Sequence, residues 1–361
     1  MEAFRVSDEI IIQSHKGKYT ASFIRSGMDR LNAELIKDAV YIIDTNISRL
    51  YKDRLERVLS SKRLIKIDAK EENKSLDKFP DYIDALVALK VRRGQPLVAI
   101  GGGIIQDITC FLAATVMRGL PWIFYPTTLL AQSDSCIGSK SSINSGDVKN
   151  ILGTFTPPDK VIIDVGFLQT LEKKDICSGL GEMLKVHAID SPESFNRLSK
   201  HYDEIISDPV VMEAFIHDSL LMKRKLIEID EFDTGPRNVM NYGHSFGHAI
   251  ETATNYSIPH GIAVTIGMDI ANFVATKMGV SSSEHFERMH DVLNKNCGSY
   301  RHVSINFELL MGALSKDKKN SATQLRLILP GKEGRIGIGL YNNNELQQAI
   351  RLYFKEYGGE L

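Results

Sequence analysis

The chain has 361 residues, with 44 Lys and Arg against 45 Asp and Glu, a formal net charge of −1 and a hydrophobic share of 43%. That balance excludes disorder, collagen-like repeats and small disulfide scaffolds, and it removes the long-range field that non-specific nucleic-acid or membrane-surface binding needs. No apolar run approaches the roughly 20 residues of a bilayer span, and the opening MEAFRVSDEI has no basic stretch leading into an apolar one, so the expectation is a cytoplasmic protein with no membrane or nucleic-acid partner.

In chain order, EIIIQSH, a turn at Lys16-Gly17-Lys18 and YTASFI predict a hairpin. β-branched runs then predict strands at 40–44 (VYIID), 63–68 (RLIKID), 96–101 (PLVAIG), 122–127 (WIFYPT) and 160–165 (KVIIDV). Crossover helices fit between them, as at 79–94, where Ile83, Leu86, Val87 and Leu89 recur at helical spacing. This alternation argues for a parallel sheet covered by helices. Beyond about 171 amphipathic segments take over, at 175–190, 192–206, 208–230, 239–255, 260–278, 282–296 and 305–315, with LRLILP (325–330) as one short strand candidate. Two domains are expected, 1–171 and 172–361. The cysteines Cys110, Cys136, Cys177 and Cys297 form no C-x-x-C pair and read as buried small hydrophobes.

Three constellations could carry chemistry. Gly101-Gly102-Gly103-Ile104-Ile105-Gln106-Asp107 follows a strand and precedes a helix expected to begin near Asp107. Glycines there let backbone N–H groups approach a phosphate, although the pattern is not G-x-G-x-x-G and a tight structural turn is an equal alternative. Asp44 and Glu71 sit at strand ends where a carboxylate can hold ribose hydroxyls, and Asp44 or Asn46 could equally cap a helix. In the second constellation His244 and His248 are four residues apart on one helix face, close in sequence to His260. Zinc is the default metal for such imidazoles, and Glu182 is the carboxylate that best completes a site with an open position. The third is cationic: Lys140, Lys149, Lys185, Lys223, Arg237, Lys318 and Lys319, which would suit a substrate with more than one anionic group if they converge.

The blocks GGGIIQDITCFLAATVMRGLPWIFYPTTLLAQSDSCIGSKSSIN, KNILGTF, SGLGEMLKVHAI, RNVMNYGHSFGHAIE and HGIAVTIGM run in order between about Asp44 and Pro330. Together they resemble the dehydroquinate synthase and sugar phosphate cyclase family. The resemblance implies an α/β plus α fold: a Rossmann-like NAD-binding domain with a parallel sheet, then an all-helical domain that binds a divalent metal, Zn2+ or Co2+, in a homodimer. Carried over by motif, the metal ligands are Glu182, His244 and His260, and His248 becomes an acid/base or orienting residue. NAD falls to Asp44, Asn46, Glu71, Lys74, Gly102, Gly103, Asp107, Thr127, Thr128 and Thr170, and Asp134 falls to either the cofactor or the substrate. Substrate groups are Lys140, Lys149, Asn150, Lys185, Lys223, Arg237, Asn241 and His248, with Arg118 reaching across the dimer to the phosphate and one of Lys318 and Lys319 taking part.

The implied reaction is a carbon–oxygen lyase step: transient oxidation of a secondary alcohol by NAD, phosphate elimination, re-reduction and an intramolecular aldol closure. The first substrate reading is 3-deoxy-D-arabino-heptulosonate 7-phosphate, on the shikimate route to aromatic amino acids, because Lys223, Arg237 and Asn241 match positions that grip a carboxylate. Gln106 in place of a small Gly, Gly138-Ser139-Lys140-Ser141, and Ser145-Gly146-Asp147-Val148 before Lys149 depart from that pattern. A specialised cyclase using sedoheptulose 7-phosphate or glucose 6-phosphate is therefore the second reading. A metal-dependent NAD polyol dehydrogenase of the glycerol dehydrogenase type and a non-catalytic metal-binding protein are the remaining two.

Overall fold

Continuous apolar runs become the central strands of a parallel sheet because both of their faces are covered. The computed structural model describes residues 7–146, 148–315 and 324–357. Its first unit has β1 (Glu9–Ser14), β2 (Gly17–Phe23), β3 (Val40–Asp44), β4 (Leu64–Ile67), β5 (Leu97–Gly101), β6 (Trp122–Pro126), β7 (Lys140–Ser145), β8 (Val148–Phe155) and β9 (Lys160–Ile163). Seven of these form one sheet in the order β1-β2-β9-β6-β5-β3-β4, parallel except for the β1–β2 hairpin. In β5 all five residues are buried. The chain order runs outward in both directions from β3 and β5, so the topological switch lies between them, where open α/β sheets bind ligands.

Two features of this unit differ from the sequence expectation. β7 and β8 form a separate antiparallel hairpin that was not expected, since most of β8 is exposed and lacks the alternation of a half-buried strand. The division at 171 is also incomplete: Pro209–Asp233 belongs to the first unit, and the second is Glu172–Asp208 with Thr234–Leu361. Periodicity identified the helix Pro209–Ile229 without revealing which core its apolar face joins.

The second unit is built around the helix His260–Lys277, whose residues Gly261 to Ala275 are all buried. A helix apolar on every side belongs at the centre of a bundle. Around it pack Lys173–Asp190, His244–Ala253, Ser283–Cys297 and Asn343–Tyr357, the last of which the sequence reading passed over. The expectation of an all-helical unit is corrected by the antiparallel pair β10 (Gln324–Pro330) and β11 (Ile336–Asn342). Among the described residues, no helix is long and apolar enough to cross a membrane.

Candidate cofactor and metal sites

Five neighbouring parallel strands end at residues singled out from the sequence. Asp44 closes β3, Glu71 follows β4, Gly102 and Gly103 follow β5, Thr127 and Thr128 follow β6, and Thr170 ends the turn Val165–Thr170 after β9. The helix after the glycines spans Gly103–Thr115, so it starts four residues earlier than expected and Asp107 lies inside it. No side chain caps its N-terminus and its first turn carries no acid. Its leading N–H groups therefore suit an anion, as a pyrophosphate-binding turn requires. A Cβ on Gly102 would meet Thr128 Cγ2 at 2.9 Å, whereas one on Gly103 would meet nothing within 4 Å. Packing demands the first glycine, and the second borders open space.

The polar side chains here hold one another. Asp44 Oδ1 accepts from the Asn46 amide at 2.9 Å, so the capping role is the one the structure displays, and Asn46 Oδ1 accepts from Arg49 at 2.8 Å. Lys74, 7% exposed, donates to Asp107 Oδ2 at 3.1 Å and Asn150 Oδ1 at 3.0 Å, and its ammonium lies 3.5 Å from Glu71. Burial pushes the Asp107 carboxyl up to about 6 against the pull of Lys74. Thr127 is buried, and Thr170 Oγ1 lies 3.0 Å from Tyr51 Oη. Asn144, which sequence reasoning missed, joins Glu71 Oε1 at 2.8 Å to the Asn150 amide at 2.9 Å. Asn150 itself adopts φ 54, a region Asn tolerates better than most residues.

Of the cationic candidates in this unit, Lys223 pairs with Asp134 Oδ1 at 2.7 Å and Lys140 pairs with Asp233. Lys149 is exposed on β8. Arg118 is exposed in a turn where Met117, Arg118 and Gly119 have φ of 53, 64 and 129. Lys318 and Lys319 lie outside the described residues.

In the second unit the glycines of the motifs allow the metal-site helices to touch. A Cβ on Gly181 would strike the Gly261 carbonyl at 2.1 Å, one on Gly261 the Ser178 carbonyl at 1.8 Å, and one on Gly267 the Gly243 carbonyl at 2.1 Å. Next to these contacts stand Glu182, His244 and His260. Glu182 Oε1 lies 3.7 Å from His244 Nε2 and 3.5 Å from His260 Nε2. Bonds of about 2.1 Å at a tetrahedral angle would set donor atoms about 3.4 Å apart. The carboxylate is 1% exposed, its Oε2 is held by Lys185, and its Oε1 has no hydrogen-bond partner among the described residues. A buried orphan acceptor facing two imidazole nitrogens fits a cation.

Both rings are aimed from behind. His244 Nδ1 lies 3.3 Å from the Tyr242 carbonyl and His260 Nδ1 lies 3.2 Å from Glu251 Oε2, leaving each Nε2 turned to Glu182. Glu251 was missed as a functional residue, although three residues beyond His248 it shares that helix face. Burial, with Lys185 and the other two histidines nearby, holds the His244 imidazole well below its usual range. Burial and the His260 charge lower His248 as well, whereas at His260 burial is outweighed by Glu251 and Glu182, which raise it. His248 completes a cluster with His244 and His260 whose ligand atoms lie within 4.8 Å of one another. A cavity of about 480 Å3 lies against the same helix and is lined by Asn241, His244, His248 and Arg326 among others. Arg237, 4% exposed, and Asn241 sit in the short turn Pro236–Asn241 just before it.

A Rossmann-like parallel sheet with a glycine turn that suits an anion, in a chain that also carries a His and Glu cluster that fits a cation, is the combination that NAD- and metal-dependent enzymes use. The description "3-dehydroquinate synthase N-terminal" matches residues 64–178 and "3-dehydroquinate synthase C-terminal" matches 179–320. A 3-dehydroquinate synthase of Dehalococcoides mccartyi is 36% identical over 313 residues, covering 84% of this chain and 87% of that protein. The chain belongs to the 3-dehydroquinate synthase family of sugar phosphate cyclases, enzymes of the lyase type. Among solved structures, 2-epi-5-epi-valiolone synthase from Streptomyces hygroscopicus subsp. jinggangensis, with NAD+ and Zn2+ bound, is 26% identical with a TM-score of 0.84, covering 98% of this chain and 99% of that one. A 2-deoxy-scyllo-inosose synthase complexed with carbaglucose-6-phosphate, NAD+ and Co2+ shares the fold at TM-score 0.82 and 22% identity, covering 95% of this chain and 99% of that one.

Proposed function

We propose that the protein is a 3-dehydroquinate synthase, converting 3-deoxy-D-arabino-heptulosonate 7-phosphate to 3-dehydroquinate and phosphate. The observation that carries this reading is its 36% identity, over most of both chains, to a relative of that name. Glu182, His244 and His260 would hold the metal, and the strand-end residues Asp44, Asn46, Glu71, Lys74, Gly102, Gly103, Asp107, Thr127, Thr128 and Thr170 would hold NAD. When bound, NAD supplies a reversible hydride acceptor and the metal an electrophile for hydroxyl oxygens.

The side chains of this protein do the binding and orienting. Lys223, Arg237 and Asn241 bind the substrate carboxylate, with Asp134 orienting the Lys223 ammonium. Arg237 supports this role because a buried guanidinium offers a rigid fork that matches a carboxylate. Lys140, Lys149 and Asn150 bind the remaining oxygens. Lys185, held by the Glu182 carboxylate, sets a positive charge beside the metal site. His248 orients or relays a proton at its ring nitrogen. Arg118 serves the phosphate of a second copy in a homodimer, and the enzyme works in the cytoplasm on the shikimate route.

The test is phosphate release from 3-deoxy-D-arabino-heptulosonate 7-phosphate, sedoheptulose 7-phosphate and glucose 6-phosphate, with catalytic NAD and zinc. Release from the first alone, without net NADH, is expected. Release only from a neutral sugar phosphate would transfer the protein to a specialised cyclase, and stoichiometric NADH from a polyol would make it a dehydrogenase.

A further inference from the structure

Gln106 stands on the helix that opens at the glycine turn, and its side chain leaves that helix to reach another element. It is 5% exposed. Its Nε2 donates to the Ser135 carbonyl at 2.6 Å, and its Oε1 accepts from the Ser135 hydroxyl at 2.6 Å. Ser135 ends a π-helical turn, Ala131–Ser135, which contains Asp134. Such turns are uncommon, and here side chains tie the turn down. Gln132 Nε2 donates to the Pro126 carbonyl at 3.0 Å and the Asp164 carbonyl at 2.9 Å, so one end is anchored to the sheet. Gln106 anchors the other end. Between these anchors Asp134 meets Lys223 through both its carboxylate, at 2.7 Å, and its carbonyl.

We propose that Gln106 is a positioning residue for substrate. By clamping Ser135 reciprocally it fixes the Asp134–Lys223 pair relative to the glycine turn, so affinity for the anionic sugar depends on it while affinity for NAD does not. A glycine here could not make either hydrogen bond. The proposal rests on the assignment of Lys223 to the substrate.

The experiment uses the full chain loaded with zinc and compares wild type with Gln106→Ala, Gln106→Met, Ser135→Ala and the Gln106→Ala/Ser135→Ala double variant. Calorimetry without NAD gives the Kd of each of the three sugar phosphates, and NAD affinity, KM and kcat are measured separately. Losing the clamp should weaken sugar phosphate binding and raise KM by about tenfold, as loss of one or two neutral hydrogen bonds would. NAD affinity should stay within about twofold, and the double variant should be no worse than the weaker single, because the pair acts as one unit. Gln106→Met fills the same volume without hydrogen bonds and should fail in the same way. Recovery of wild-type binding by Gln106→Met, an equal loss of NAD affinity, or multiplying effects in the double variant would each overturn the proposal. Should the sugar that binds not be the heptulosonate, the substrate assignment fails while the effect of Gln106 is still read on the sugar that does bind.

Discussion

The two candidate sites are built on opposite principles. At the strand ends of the first unit the polar side chains already satisfy one another: Asp44 caps its own helix, and Lys74 bridges Asp107 and Asn150. At the histidine cluster a buried carboxylate oxygen has no hydrogen-bond partner among the described residues and lies between two imidazole nitrogens. A self-satisfied site can exist without its ligand and offers mainly backbone donors, whereas a site with a buried orphan is completed by what it binds. Dependence on ligand should therefore be concentrated in the second unit.

The largest effect expected from this contrast is at His260. In His260→Ala, bound zinc measured by elemental analysis should fall from one equivalent towards none. Turnover of the sugar phosphate should fall by about 1000-fold, as loss of several kcal/mol of transition-state stabilisation would give. Full zinc retention would break the assignment and shift the ligand role to His248, which shares the cluster. Next in size is Gly261→Ala. A methyl group 1.8 Å from the Ser178 carbonyl must push two helices apart, which should cost about 3 kcal/mol in chemical denaturation, at the upper end of overpacking. Unchanged stability would show that these helices can part without loss. Smallest is Asp44→Ala, which should lower stability by about 1 kcal/mol through the lost cap and weaken NAD. A loss of NAD affinity with no loss of stability would show that its engagement in the cap is incidental.

The same contrast explains what the sequence could reveal. β3 was legible at its observed bounds because VYIID is apolar on both faces, and the β1–β2 hairpin because its turn carries a glycine. β7 and β8 were hidden because Lys149 and Asn150 stand exposed in β8, breaking any pattern. The pair His244 and His248 was visible from spacing. The approach of Glu182 to His244 and His260 was not, because it depends on where helices cross, and the signal for the crossing is glycine, which reads as flexibility in a linear pattern. Glu182 and His260 were candidates from residue type and proximity in sequence, motif resemblance assigned them as ligands beside His244, and the orphan oxygen gives a physical reason for that choice. Gln106 was noticed only as a departure, since its partner Ser135 lies 29 positions away.

The glycine contacts also bear on mutational tolerance. At Gly181, Gly243, Gly261 and Gly267 any Cβ would meet a backbone carbonyl within 2.7 Å, so a saturation scan should find these positions as intolerant as the histidines, although glycine has no side chain to touch a ligand. Intolerance in this unit thus marks the seams between helices as much as the chemistry. Attempts to alter the proposed sugar specificity would start at Asn241 and Lys149, which are exposed.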